Sequence, residues 1–245
     1  MGGKCMKMVA DSSVLFPQIL HCLAVLAAFI VPALLILIPI RFLTKLPSYV
    51  FRKLLHIVAF SCVTLMILSA KSWQAAALTS VLLAVAVFPI LAAFEKASWY
   101  EKLFVQKSAG EIKKSLLLLF FMFAAMITVS WGVFGKPHLA AAAILMWGTG
   151  DAAAALVGIP HGKHKVRSRF TDGKKSWEGS LAMLVVSFIS GMTVLSVAQK
   201  TTIPLAVLSA GLGALLGTVT ELFSPSEYDT VTVPAVIVTV LLLLG

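Results

Sequence analysis

The sequence predicts an all-α integral membrane protein: one polytopic helical bundle of about eight transmembrane helices, forming a single domain over residues 1–245. Three observations predict it. The 245 residues are 60% hydrophobic and only 12% charged, with a mean hydropathy of +0.99, whereas soluble domains carry about 25% charge. The apolar residues fall into runs long enough to cross a bilayer. The basic residues gather in alternate loops between those runs.

A spanning helix needs ~20 residues. Runs of that kind lie at Ile19–Ile40, Leu54–Ala70, Trp73–Phe94, Ser115–Phe134, Leu139–Ile159, Leu181–Val197 and Ile203–Leu222. An eighth, Val231–Gly245, is shorter and contains Pro234, which predicts a tilted or partly re-entrant helix. Seven or eight spans follow, and eight agrees better with the chain. The start carries Lys4 and Lys7 but no small-residue cleavage pattern, and reads as a retained end. Gly213 with Gly217, and Ala152 with Ala155, give small-residue faces for close helix packing.

Lysine and arginine set the orientation. Fifteen of the twenty basic residues lie in the loops after the first, third and fifth runs. Lys4, Lys7, Lys71, Lys136 and Lys200 lie on the other side. The bias places the rich loops in the cytoplasm of a cell-membrane protein. The formal charge of +10 therefore points to lipid headgroups and phosphorylated substrates, with no nucleic-acid partner. Cys5, Cys22 and Cys62 have neither disulfide-framework nor metal spacing.

Five polar stretches interrupt this pattern. In WGTGDAAAALVG, Asp151 stands inside an apolar run, where a charge costs at least ~2.5–3.5 kcal/mol. The cost makes it a functional candidate, and Gly148 and Gly150 beside it suggest a helix break or a close ligand. In FTDGKKSWEGSLAM, Lys174 and Lys175 precede a helix with Ser176 as its N-cap, which suits a phosphate. Glu178 complements the helix dipole there and is also placed for metal or ribose contact. GKKS is not a P-loop, because Ser168 stands where that motif needs a glycine. In TELFSPSEYDTVTVP, the carboxylates of Glu221, Glu227 and Asp229 cluster without basic neighbours, and Mg2+ binds one or two carboxylates plus phosphates. In FRKLLHI, Arg52 and His56 share a helix face and Lys53 lies between them, so phosphate or alcohol contact competes with simple snorkelling. In SAGEIKKSL, Glu111, Lys113 and Lys114 fit a solvated helix entry equally well.

Taken in order, RKLLH, GEIKKS, GDAAAALVG, KKSWEGSLAM and the DTVTVP ending resemble the integral-membrane CTP-dependent kinases of lipid alcohols, the phytol, polyprenol, dolichol and diacylglycerol kinases. That family is related to the phosphatidate cytidylyltransferases. The resemblance covers most of the chain from Arg52 to Pro234, and Ser226-Glu227-Tyr228 departs from it where a glycine is expected. It implies CTP as co-substrate, Mg2+ or another divalent cation, a membrane lipid as substrate, and an active site at the cytoplasmic face.

On that resemblance, Asp151 and Glu178 are the catalytic candidates. Gly150, Lys174, Lys175 and Ser176 are placed at the nucleotide. Asp151, Glu221 and Asp229 are placed at the metal, and Arg52, Lys53, His56, Glu111 and Lys114 at the lipid. The expected reaction is phosphoryl transfer from CTP to a lipid alcohol arriving near Arg52 and His56. Cytidylyl transfer onto phosphatidate uses the same parts, with attack at the α-phosphorus. An ion-coupled transporter would make Asp151 an ion site, but no second broken helix pairs with GTGD. The oligomeric state is left open. A cysteine placed at Lys107 is expected to react with a membrane-impermeant thiol reagent only after the cytoplasmic face is opened. Labelling in intact cells would invert the topology.

Overall fold

The computed structural model describes residues 12–44, 46–94, 111–166, 173, 175–225 and 228–245, with the backbone alone at 12, 94 and 111–113. Lys174, Glu227, Arg167, Arg169 and Lys107, and the side chain of Glu111, lie outside these described residues. Within them the chain is helical: α1 Ser12–Leu43, α2 Ser48–Ser69, α3 Trp73–Phe94, α4 Glu111–Ile127, α5 Pro137–His161, α6 Trp177–Ala198, α7 Ile203–Phe223 and α8 Asp229–Leu244. No strand forms among the described residues. An isolated antiparallel bridge joins Lys165 to Ser176.

Seven of these helices are long and apolar enough to cross a membrane, and α8, at 16 residues, is shorter. The polytopic helical bundle predicted from composition is therefore the observed fold. In hydrocarbon every backbone group must be satisfied within the segment, so apolar runs become helices. That constraint also lets α1 keep Pro17, Pro32 and Pro39 inside one helix.

Helix α5 is the axis of the bundle. It packs against α2, α6 and α8, and α6 in turn packs on α7, and α7 on α8. Ala140, Ala141, Ala142, Ala143 and Ile144 have no exposed surface. Phe60 of α2 sits edge-on to both Trp147 and Phe123, with centroids 4.8 and 4.9 Å away. Lipid tails are as apolar as leucine, so van der Waals fit of this kind, more than water exclusion, holds such helices together.

Helix α5 runs unbroken through Gly148, Thr149, Gly150 and Asp151. The break suggested by the two glycines is absent. They serve packing instead: a Cβ on Gly148 would lie 2.0 Å from the Phe60 ring, and one on Gly150 would lie 2.1 Å from Ser187 Oγ. Ser187 Oγ itself donates to Met146 O at 2.9 Å, tying α6 to α5. Breaking α5 would expose backbone groups to hydrocarbon at several kcal/mol each. Gly213 and Gly217 meet Met146 and Ile237, as their small-residue face predicts. Helix α8 is also continuous from Asp229, with Pro234 buried inside it. Cys22 and Cys62 are buried free thiols.

Pro137 begins α5, where a missing N–H costs nothing. Helix α4 passes into a π-helical turn, Thr128–Val133, before it. At the other end, Arg41 of α1 donates to Leu46 O at 2.7 Å and to Ser48 Oγ at 3.0 Å, fastening the start of α2.

Replacing Gly148 with alanine forces the Phe60 ring to move. The expected loss is about 1–3 kcal/mol, read as a lower thermal midpoint in detergent. An unchanged midpoint would mean that α2 and α5 can slide apart without cost.

Candidate functional site

Antiparallel succession brings one set of helix ends together. The start of α2, the second half of α5, the segment before α6, the end of α7 and the start of α8 meet at one end of the bundle. The polar side chains collect there.

Asp151 is the centre. Lys53 Nζ donates to its Oδ2 at 2.6 Å, and His56 Nε2 lies 3.3 Å from the same oxygen without hydrogen-bond alignment. The His56 ring stacks on Phe60 at 4.2 Å, so the aromatic cluster of the core fixes its position. Lys53 and His56 are one turn apart on α2 and therefore face α5 together. Arg52 points outward and is exposed.

A second ion pair lies close by. Lys175 Nζ is 3.1 Å from Glu221 Oε1, and it also donates to Ser224 O at 2.8 Å and to Glu221 O. An ammonium has three donors, and all three are taken. Lys175 thus clasps the end of α7, whose last carbonyls have no helical partner. Its side chain is 10% exposed and that of Glu221 12%, so the pair is largely, though not fully, buried. Asp229 opens α8 and lies within electrostatic reach of Asp151, Lys175, Glu221 and Lys53.

The segment before α6 is held just as closely. Ser176 Oγ caps α6 by accepting from Gly179 N at 3.3 Å. Trp177 N donates to His164 O at 3.1 Å, and Val166 N donates to Lys175 O at 3.0 Å. The Trp177 and Gly179 amides expected to face a phosphate are therefore bonded within the protein. Glu178 turns away from the cavity to the preceding loop. It accepts from Lys163 N at 3.2 Å and His164 N at 3.1 Å, and its Oε1 is 2.7 Å from His164 Nδ1. Gly179 has no room for a side chain, since its Cβ would lie 2.8 Å from Ala154 O. That contact sets α6 close against α5.

Between α5, α6 and α7 lies a partly open cavity of about 120 Å3. Asp151, Glu221, Lys175, Ser176 and Ser180 supply its polar atoms, and Ala154, Ala155 and Ile159 supply an apolar wall. Gly150 is buried on the far side, against Ser187. Lys114, exposed near the start of α4, makes no ion pair or hydrogen bond among the described residues.

Among the described residues no three His, Cys, Asp or Glu side chains converge on one metal position. An all-protein metal cage is therefore not formed by them. Mg2+ completes its shell with water and phosphate around one or two carboxylates. Asp151 and Glu221 at the cavity, with Asp229 in electrostatic reach of both, fit that looser donor set.

Comparison with known proteins gives one relative. A phytol kinase from Synechocystis sp. is 39% identical over 100 residues. The chain resembles a phytol kinase. The match covers 41% of this chain and 42% of the relative, less than half of either. No family model matches the chain, and no solved structure matches it.

Sequence reasoning singled out Lys53, His56, Asp151, Lys175, Ser176 and Glu221, and the structure brings these together. It did not anticipate the Lys53–Asp151 and Lys175–Glu221 pairings. It also passed over Ser180, which lies in the KKSWEGSLAM stretch just before an apolar run, with no spacing signal to mark its hydroxyl.

Lys175→Ala removes one partner of a buried pair and leaves Glu221 without a counter-charge. The expected loss is about 3–5 kcal/mol of stability, whereas Lys163→Ala, at an exposed lysine, should leave the thermal midpoint in place. Equal midpoints for the two variants would mean that Lys175 does not hold α7.

Proposed function

We propose that the chain is a membrane lipid-alcohol kinase. It transfers the γ-phosphoryl of CTP, with Mg2+ or another divalent cation, to a lipid alcohol of the phytol, polyprenol or diacylglycerol type. The observation that supports this reading is the meeting of Lys53, Lys175, Asp151, Glu221 and Asp229 from five segments at one end of an apolar bundle. The likeness to a phytol kinase points the same way. In this reading that end of the bundle faces the cytoplasm, where the nucleotide is.

Phosphoryl transfer asks a protein mainly for positioning and charge neutralisation. The lipid oxygen attacks the γ-phosphorus, the bond to the β-bridging oxygen breaks, and CDP leaves. The hydroxyl proton passes to a carboxylate. Asp151 is placed for that role: Lys53 holds one of its oxygens and aims the group at the cavity. Glu221 and Asp229 would hold the divalent cation together with phosphate oxygens, and it would supply charge neutralisation there. Lys175 meets a phosphate only by giving up one of its three contacts, and Lys174 is proposed as a further phosphate contact. Glu178 acts by pinning residues 163 and 164, which keeps Lys175 and Ser176 at the cavity.

Cytidylyl transfer onto phosphatidate is less well supported. Lys53 and Lys175, both partly buried, are already paired with carboxylates, and Asp229 adds a further negative charge. Phosphatidate would bring anionic charge beyond that of the nucleotide, and neither lysine is left unpaired to meet it, whereas a neutral alcohol asks for none. Transport is also less well supported, because α5 is unbroken at Gly148–Asp151.

Parallel reactions with γ-labelled and α-labelled CTP test the reading. Label from the γ position is expected in the lipid, with CDP released. Label from the α position, with pyrophosphate released, would replace it by cytidylyl transfer. In the same assay Asp151→Asn should lower kcat at least about a hundredfold, the lower range for a lost general base. A loss of only a few-fold would leave Asp151 as an ion-pair partner of Lys53.

A further inference from the structure

Ser180 lies in the first turn of α6 and is 5% exposed. Its Oγ is buried and has no hydrogen-bond partner, yet it lines the cavity. Hydroxyls elsewhere in the bundle are satisfied by carbonyls: Ser187 donates to Met146 O, Thr149 to Leu145 O, and Ser80 to Ala76 O. Back-bonding to the carbonyl four residues earlier is the usual refuge of a helical serine. For Ser180 that carbonyl is Ser176 O, which accepts the Ser180 amide at 3.0 Å and takes no bond from the hydroxyl. A buried hydroxyl left without a partner costs about 1–3 kcal/mol. A group in that state at the wall of a cavity is poised for a partner that arrives with a ligand. Ser130, Ser209 and Thr218 also carry unpartnered hydroxyls, but none of them lines this cavity.

The lining narrows the class of ligand. Asp151 and Glu221 repel an anion. A cation is drawn to Asp151 and Glu221 at the polar edge, while Ala154, Ala155 and Ile159 offer it only desolvation and leave the apolar wall to another group. A nucleotide needs a pocket of at least ~300 Å3, and this one has about 120 Å3. A cavity of that size suits a few waters, or a hydroxymethyl group and the next few carbons of a chain. A neutral alcohol satisfies every wall. Its O–H donates to a carboxylate, its oxygen accepts from a hydroxyl, and its carbons lie on the alanines.

We propose that this cavity is the acceptor-hydroxyl subsite and that Ser180 Oγ donates to the oxygen of the lipid alcohol. The inference rests on the kinase reading above and moves the acceptor from the exposed Arg52 surface to the space between α5, α6 and α7. The alcohol oxygen then has two lone pairs with distinct tasks. One takes the Ser180 hydrogen, and the other is left to face the phosphorus. The hydroxyl proton points at Asp151, and the hydrocarbon chain leaves past Ile159, which is exposed.

The test uses the full chain in detergent, with phytol and CTP as separate probes. Ser180→Ala removes an unsatisfied group, so the ligand-free thermal midpoint should stay level or rise. The stabilisation by phytol should shrink, and the stabilisation by CTP should not. With turnover, KM for phytol should rise roughly three- to tenfold, the range for one neutral hydrogen bond, while KM for CTP holds. A ligand-free midpoint several degrees lower would make Ser180 a packing residue and overturn the proposal. A lost CTP response, or an unchanged phytol response, would overturn it as well. Phytol stabilisation that depends on Ser180, with no phosphate transferred from CTP, would retain the alcohol site and reject the kinase reading.

Discussion

Asp151 sits ten residues before the end of α5, about 15 Å along the helix. A carboxylate at that depth is expensive unless a cation lies beside it, and Lys53 is that cation. The pairing sets the rotation of α2, because Lys53 must face α5. With that rotation His56 and Phe60 face α5 too, and Phe60 needs the gap at Gly148. One ion pair thus couples the polar end of the bundle to its aromatic core. Removing it would disturb packing as well as chemistry.

The second pair applies the same rule to the other half. Lys175 closes the end of α7, and Ser224 Oγ lies 2.8 Å from Thr232 Oγ1 of α8. Glu178 and the bridge at Lys165 and Ser176 fix the segment from which Lys175 reaches. The two pairs face one cavity from different helices. Its walls are therefore set by long-range electrostatics, while each helix is set locally by its own apolar run.

That division explains what the sequence discloses. Helix existence is local, so Trp73–Phe94 is read to the residue and Ile203–Leu222 is off by one residue at one end. Ends that carry polar residues are longer than hydropathy suggests: α1 starts at Ser12 and α6 at Trp177. Asp151 stands out because a charge in an apolar run has few explanations. Its partner lies 98 residues away, and nothing in one sequence ties the two together. Glu178 looks like a ligand residue because a helix N-terminus is a plausible anion or metal site, yet its carboxylate closes a loop. Ser180 gives no sign at all, because only the geometry of its neighbours shows that its hydroxyl is unpartnered.

Helix α1 has a consequence for the depth of the whole protein. Its 32 residues span about 48 Å, far more than a hydrocarbon layer of ~30 Å. Two polar attachments mark the portion that counts. Ser72, in the turn between α2 and α3, donates to Gln18, and Arg41 grips the start of α2. Gln18 and Arg41 are about 35 Å apart along the helix, close to the thickness of the layer and its edges. One face of α1, with Leu15, Ile19, Val25 and Ile30, packs on the core, Cys22 and Leu26 are buried, and much of the rest is exposed. The helix therefore works as a vertical gauge, fixed at both interfaces. A thinner bilayer would tilt this gauge before it compressed the bundle, and the cavity would change its height relative to the headgroups without changing its shape.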